Sequence, residues 1–136
     1  MSESVQHKQY IDRIYKYTLN LIPENHSRLI LIDGDDHLRN KDIPPLINGF
    51  RPDLYYEFDS ILILGEAKTR NDYATKHSVN QYREYYKHCA YYQGVSYIIL
   101  SCPWTCSADL KTIIRKIKQE YKNQVKVIFL DEMSGD

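Results

Sequence analysis

Three residues in the middle of this 136-residue chain, Asp53, Glu66 and Lys68, have the types and spacing to hydrolyse a phosphate ester. They lie in two strand-like runs, Asp53–Phe58 and Ile61–Thr69, with Asp59-Ser60 between them as a two-residue turn. A hairpin centred on that turn pairs residues whose numbers sum to 119, so Asp53 faces Glu66. Lys68 is two residues further on and projects from the same face. Cβ atoms directly across such a pair are about 5 Å apart. Two carboxylates that close repel each other, and one keeps a proton unless a cation sits between them. Hard divalent ions such as magnesium take oxygen ligands in that arrangement. The ammonium beside them would orient a water or stabilise charge developing on a phosphate. Everything hangs on register, because moving the turn by half a residue pairs Glu66 elsewhere. Read as a surface instead, the same residues are an Asp opposite a Glu, neutralised by Lys68.

The elements that must position these groups follow from periodicity. From Val5 to Ile22 the face Ile11, Ile14, Tyr15, Thr18, Leu21, Ile22 has helical spacing, stopped by Pro23 and Asn25. Arg28–Asp33 reads as a short buried strand, and residues 34–51 as a long, functional connection or a hidden turn of helix. After the hairpin, a helix is predicted from Thr75 to Gln93 with Gly94 as its stop. Its apolar face is Val79, Tyr82, Tyr86, Cys89, Ala90. Val95–Ser101 is a strand, Ser107 caps a helix with face Leu110, Ile113, Ile114, Ile117, Tyr121, and Val125–Leu130 is the last strand. The order α-β-β-β-α-β-α-β predicts an α/β or α+β layered fold, a central mixed sheet flanked by helices, in one domain spanning 1–136.

The stretch RPDLYYEFDSILILGEAKT resembles the PD-(D/E)XK nuclease superfamily, through Pro52-Asp53, a hydrophobic strand and Glu66-Ala67-Lys68. The order of elements over about residues 5–101 is similar to that family's restriction-endonuclease-like core. On the following helix Gln81 and Tyr85 stand at i and i+4, with His77 and His88 extending the stripe. This Gln-x-x-x-Tyr resembles the extra motif of the RecB-like exonuclease branch. The resemblance implies a Mg2+- or Mn2+-dependent nuclease acting on DNA. Asp53, Glu66 and the Ala67 carbonyl would ligate the metal, Lys68 would assist the attacking water, and Gln81 and Tyr85 would position substrate or site residues. The family often adds an acid from its first helix; Glu3 and Asp12 are the candidates here, and neither matches well. A member that keeps the fold for nucleic-acid binding or dimerisation without turnover is a further reading.

Asp33-Gly34-Asp35-Asp36 after RLILI resembles the nucleophile motif of haloacid dehalogenase-like phosphatases, with Asp33 attacking phosphorus and Asp35 as acid or base. Ser101, a lysine on the 107–122 helix and Asp131-Glu132 would supply the remaining parts. His37 departs from that pattern, and nothing in it explains Glu66-Ala67-Lys68. Asp35 and Asp36 are alternatively residues near the nuclease metal. An EF-hand loop is excluded, since its glycine and distal Glu are absent. Cys102 and Cys106 have no second ligand pair and read as core or loop thiols.

Eighteen basic side chains balance eighteen acidic ones, which excludes a uniformly basic polyanion binder. The distribution is uneven: residues 1–65 carry a net −3, residues 66–118 a net +5 and the rest −2. The basic segment would track a phosphate backbone through Arg70, Lys76, Arg83 and Lys87, giving salt-sensitive binding. Thirteen tyrosines, against four Phe and Trp together, suit either packing or stacking on bases. A homodimer that widens the DNA groove is a compatible assembly. No apolar run is long enough to span a membrane. The absence of a leader-like opening and the three cysteines, read as reduced thiols, predict a cytoplasmic protein.

Overall fold

Period-2 hydrophobicity on both faces of Ile61–Ala67 is what organises the molecule. In the computed structural model, which describes residues 2–34 and 42–132, this strand lies at the centre of a five-stranded open mixed sheet. The elements are α1 (Ser2–Leu19), a 3-10 helix (Glu24–Leu29), β1 (Leu31–Ile32), β2 (Leu54–Phe58), β3 (Ile61–Ala67), α2 (Lys76–Ala90), β4 (Val95–Pro103), α3 (Trp104–Lys118) and β5 (Lys126–Glu132). The strands lie in chain order across the sheet, β1-β2-β3-β4-β5. β1, β2 and β3 are antiparallel neighbours, whereas β3, β4 and β5 run parallel, joined by the crossover helices α2 and α3.

Each face of the sheet has its own core. Leu54, Tyr56, Ile63, Ala67 and Ile99 pack under α1 against Tyr10, Ile11, Ile14 and Ile22. Leu62, Leu64, Ile98, Leu100 and Cys102 face α2 and α3 and meet Tyr82, Tyr85, Tyr86, Leu110, Ile114 and Ile117. Alternation therefore sends even-numbered β3 residues, Glu66 among them, toward α2 and odd-numbered ones toward α1.

Gly65 fixes the spacing behind the site. A Cβ there would sit 2.6 Å from Ile14 Cγ2 and 3.1 Å from Leu54 Cβ, so only a residue with no side chain lets α1 approach this closely. Gly65→Ala is expected to destabilise the fold by about 1–3 kcal/mol, the usual range for overpacking. Chemical denaturation would measure it, and a wild-type midpoint would remove this account of α1 docking.

Several predicted boundaries move. The first helix ends at Leu19 rather than Ile22, and the chain then turns on Asn20 N–H to Tyr17 O and Leu21 N–H to Thr18 O bonds. Arg28 and Leu29 belong to the 3-10 helix, and the strand predicted for 28–33 shrinks to Leu31–Ile32. α3 begins at Trp104, directly from β4, with Pro103 before it. Ser107 is therefore buried inside the helix and is not its cap. Proline has a preset φ and suits the entry to a helix, and it outweighs the side-chain preference of serine. α2 starts at Lys76, next to the predicted Thr75, and Thr75 caps it: its side chain accepts the Ser78 N–H at 3.1 Å. It stops at Ala90, however, and Gly94 does a different job: a Cβ there would lie 2.3 Å from Ser60 O. Glycine at 94 lets the start of β4 close onto the hairpin turn, where Val95 N–H donates to Ser60 O at 2.9 Å.

Candidate active site

The hairpin turn is the two-residue one expected. Asp59 and Ser60 both adopt positive φ, 57° and 64°, the pattern of a type I′ turn whose twist matches the strands it joins. Its pairs run from Phe58↔Ile61 to Leu54↔Gly65, all summing to 119. The next pair in that register is Asp53 with Glu66. Asp53 Oδ2 accepts the Ala67 N–H at 2.8 Å, which ties the acid to the end of β3.

Both carboxyls and Lys68 are buried, at 8%, 6% and 5% exposure. A lysine that deeply buried requires partners, and α2 supplies them. Lys68 Nζ donates to Gln81 Oε1 at 2.5 Å and to Ser78 Oγ at 2.9 Å, with Glu66 Oε2 at 3.7 Å. Gln81 Nε2 donates to the Tyr85 hydroxyl at 3.0 Å, and that hydroxyl donates to Glu66 Oε1 at 3.1 Å. The chain Lys68–Gln81–Tyr85–Glu66 closes on itself. It locks both ends of the Glu66-Ala67-Lys68 motif to one face of α2, where the polar side chains stand at helical spacing.

The electrostatics are those of a site short of positive charge. Burial pushes the Glu66 carboxyl well above the usual carboxylate range, the facing Asp53 pushes it further, and Lys68 pulls it back only in part. Burial, then the Glu66 charge, keeps the Tyr85 phenol protonated, so it acts as a donor.

Of the residues singled out by sequence, Asp53, Glu66, Ala67, Lys68, Gln81 and Tyr85 are brought together. Tyr85, absent from the predicted apolar face, is fully buried, and Val79, which belongs to it, is only half-buried. The buried face keeps the predicted Tyr82, Tyr86, Cys89 and Ala90 and widens to take in Ser78, Gln81 and Tyr85. His77 is exposed and meets the Phe50 ring edge-on at 5.3 Å. His88 lies further along α2, lining an open cavity of 510 Å³. Lys76, Arg83 and Lys87 follow one outward face of α2, Arg83 with Glu120 at 3.6 Å, while Arg70 sits in the β3–α2 loop. Asp12 is on the surface, paired with Lys16 at 3.0 Å. Asp33 is exposed just past β1, its N–H donating to Asp53 O at 3.0 Å. Asp35, Asp36 and His37 lie outside the described residues, as does the side chain of Glu3. All three cysteines are buried free thiols.

Two residues of the site went unnoticed in the sequence. His7, on α1, places Nε2 3.3 Å from Asp53 Oδ2; Ser78 completes the cradle of Lys68. Each carried a signal. His7 is polar yet stands four and seven residues before Ile11 and Ile14, on the stripe that faces the sheet, and Ser78 has the same relation to Tyr82 and Tyr85.

Among the described residues, no three His, Cys, Asp or Glu side chains converge closely enough to hold a metal by themselves. The available donors are two buried carboxylates and the Ala67 carbonyl. Such a set fits a hard ion that keeps several waters and takes further oxygens from a phosphate, as magnesium does. Also among the described residues, no helix is long and apolar enough to cross a membrane. Compared with known proteins, the chain matches no family model, no curated protein and no solved structure.

Proposed function

We propose that the protein is a metal-dependent nuclease that hydrolyses phosphodiester bonds, in DNA by the resemblance of its Pro-Asp…Glu-Ala-Lys motif. The observation that carries this reading is the pair of facing buried carboxyls with a lysine bound to the same helix. An isolated structural ion pair does not need the second acid, which leaves an uncompensated negative charge in a buried place. Supporting it is the pairing of each group with a fixed donor or acceptor, so none must reorganise when charge develops.

In this reading Asp53, Glu66 and the Ala67 carbonyl hold Mg2+ or Mn2+. When bound, the ion supplies charge neutralisation for the phosphate and a more acidic water. The chain's own groups do the rest. Lys68, oriented by Gln81 and Ser78, presents its ammonium beside the acids, where it orients the attacking water and offsets charge on the phosphate. Tyr85 fixes the rotamer of Glu66, and His7 fixes that of Asp53. Lys76, Arg83 and Lys87 on α2, and Arg70 in the β3–α2 loop, bind backbone phosphates.

His7→Ala is expected to weaken metal affinity by about 10–100-fold, the range for groups that orient a ligand. Isothermal titration with Mn2+ would measure this, and unchanged affinity would remove His7 from the site. The reading itself is tested by incubating single-stranded, duplex and branched DNA with Mg2+ or Mn2+, comparing wild type with Lys68→Ala and Asp33→Ala. Cleavage lost in the first variant and kept in the second supports the hairpin site. Phosphomonoesterase activity dependent on Asp33 would favour the phosphatase.

A further inference from the structure

The only tryptophan of the chain opens α3 and is 56% exposed, an unusual place for its largest apolar side chain. Backbone pairing relates it to the candidate site. Lys68 N–H donates to Ser101 O at 2.9 Å across the parallel β3–β4 ladder. Trp104 follows Ser101 by three residues, so it stands at the same carboxyl edge of the sheet as Glu66 and Lys68. The β3–α2 loop is clamped against α3 from the other side. Tyr73 OH donates to Asp109 Oδ2 at 2.7 Å, and Arg70 Nη2 reaches Thr105 Oγ1 at 3.4 Å. Arg70, itself exposed, thus has its guanidinium held against the residue that follows Trp104.

We infer that Trp104 and Arg70 form a stacking platform for an unpaired nucleobase beside the scissile phosphate, which makes single-stranded nucleic acid the substrate class. The inference rests on the nucleolytic reading above and deepens it. An indole face stacks on any base, and a neighbouring guanidinium stacks or takes the adjoining phosphate. A base inside a duplex already has both faces covered, so the platform selects unpaired strand. A protein partner would want a broad apolar surround, whereas the exposed residues beside Trp104 on α3 are the polar Thr105 and the small Ala108.

Because Trp104 is the sole tryptophan, its fluorescence reports on the platform alone. A 5′-labelled oligothymidylate is titrated into the full chain in EDTA, where no cleavage occurs. Anisotropy reads binding, and tryptophan emission reads stacking. The expected result is quenching that saturates together with anisotropy, weaker binding by on the order of tenfold in Trp104→Ala, and near-wild-type affinity in Trp104→Phe. Duplex of the same length should leave the emission unchanged. Binding with unquenched emission and an unaffected Trp104→Ala variant would overturn the platform while leaving the nuclease reading intact. Absence of binding by wild type would also overturn it, and metal-dependent cleavage of duplex would then show whether the nuclease reading survives. Trp104 is on the surface, so the variants should melt as wild type does, which separates lost stacking from lost fold.

Discussion

Lys68→Ala should reduce metal-dependent cleavage by on the order of a thousandfold, within the usual range for removing a positioned proton-transfer or charge-stabilising group. The effect is large because nothing else can take its place. Lys68 is held by Gln81 and Ser78 in a single orientation, and its ammonium stands 3.7 Å from Glu66 Oε2. Loss of the charge also leaves Glu66 more easily protonated, so metal binding weakens as a secondary effect. Single-turnover rates at saturating Mn2+ separate the two, since saturation restores the ion and not the ammonium. Gln81→Ala should give an intermediate loss, because Ser78 still anchors the lysine. A Lys68→Ala protein that cleaves at the wild-type rate would sink the proposed site.

The second large effect concerns stability and runs opposite to activity. Glu66→Gln should raise the melting temperature of the metal-free protein and abolish its stabilisation by Mg2+ or Mn2+. Asp53 and Glu66 face each other out of water with one lysine between the pair and α2, and Lys68 only partly offsets their repulsion. Glutamine keeps an oxygen for the Tyr85 hydroxyl and does not ionise, so folding no longer bears the cost of an acid whose charge burial and Asp53 disfavour. Relief of about 1 kcal/mol corresponds to a rise of roughly 3–5 °C for a chain of this size. In wild type, metal at a hundredfold excess over its Kd should add about 2.7 kcal/mol; the variant should gain nothing. Scanning calorimetry of both proteins with and without metal reads all four states. A wild type that metal does not stabilise would mean that the two acids hold no ion.

Much of this arrangement was legible in the sequence for identifiable reasons. The hairpin was readable because a two-residue turn between apolar runs has one register that buries both. Asp59-Ser60 signalled it without the usual glycine, and both residues accept the left-handed conformation. The predicted α2 face is buried at Tyr82, Tyr86, Cys89 and Ala90, and only Val79 falls short of it. The buried face is wider than its apolar residues indicate, because it also takes in Ser78 and Gln81, whose polarity is satisfied by Lys68 from another element. Nothing local announces such a partner. His7 escaped for the same reason, since its meaning depends on Asp53, distant in the chain. The start of α3 went unseen because Ser107 resembles a cap and the strand-to-helix step at Pro103 has no loop to mark it.

The turn at Asp59-Ser60 has a consequence for how the chain can vary. Strand side chains alternate, so the hairpin counts in twos. Adding or deleting one residue within β3 ahead of Glu66 would exchange the layers: Glu66 and Lys68 would be driven into the apolar packing of Ile11 and Ile14, and Ala67 would be left beneath Gln81. A change of two would restore the layer but move Asp53 along by a rung, out of reach of its partner. Length here is a parity condition, and point substitution of the turn residues is free of it. Descendants of this chain that kept the chemistry should therefore differ in letters within the hairpin and agree in its length.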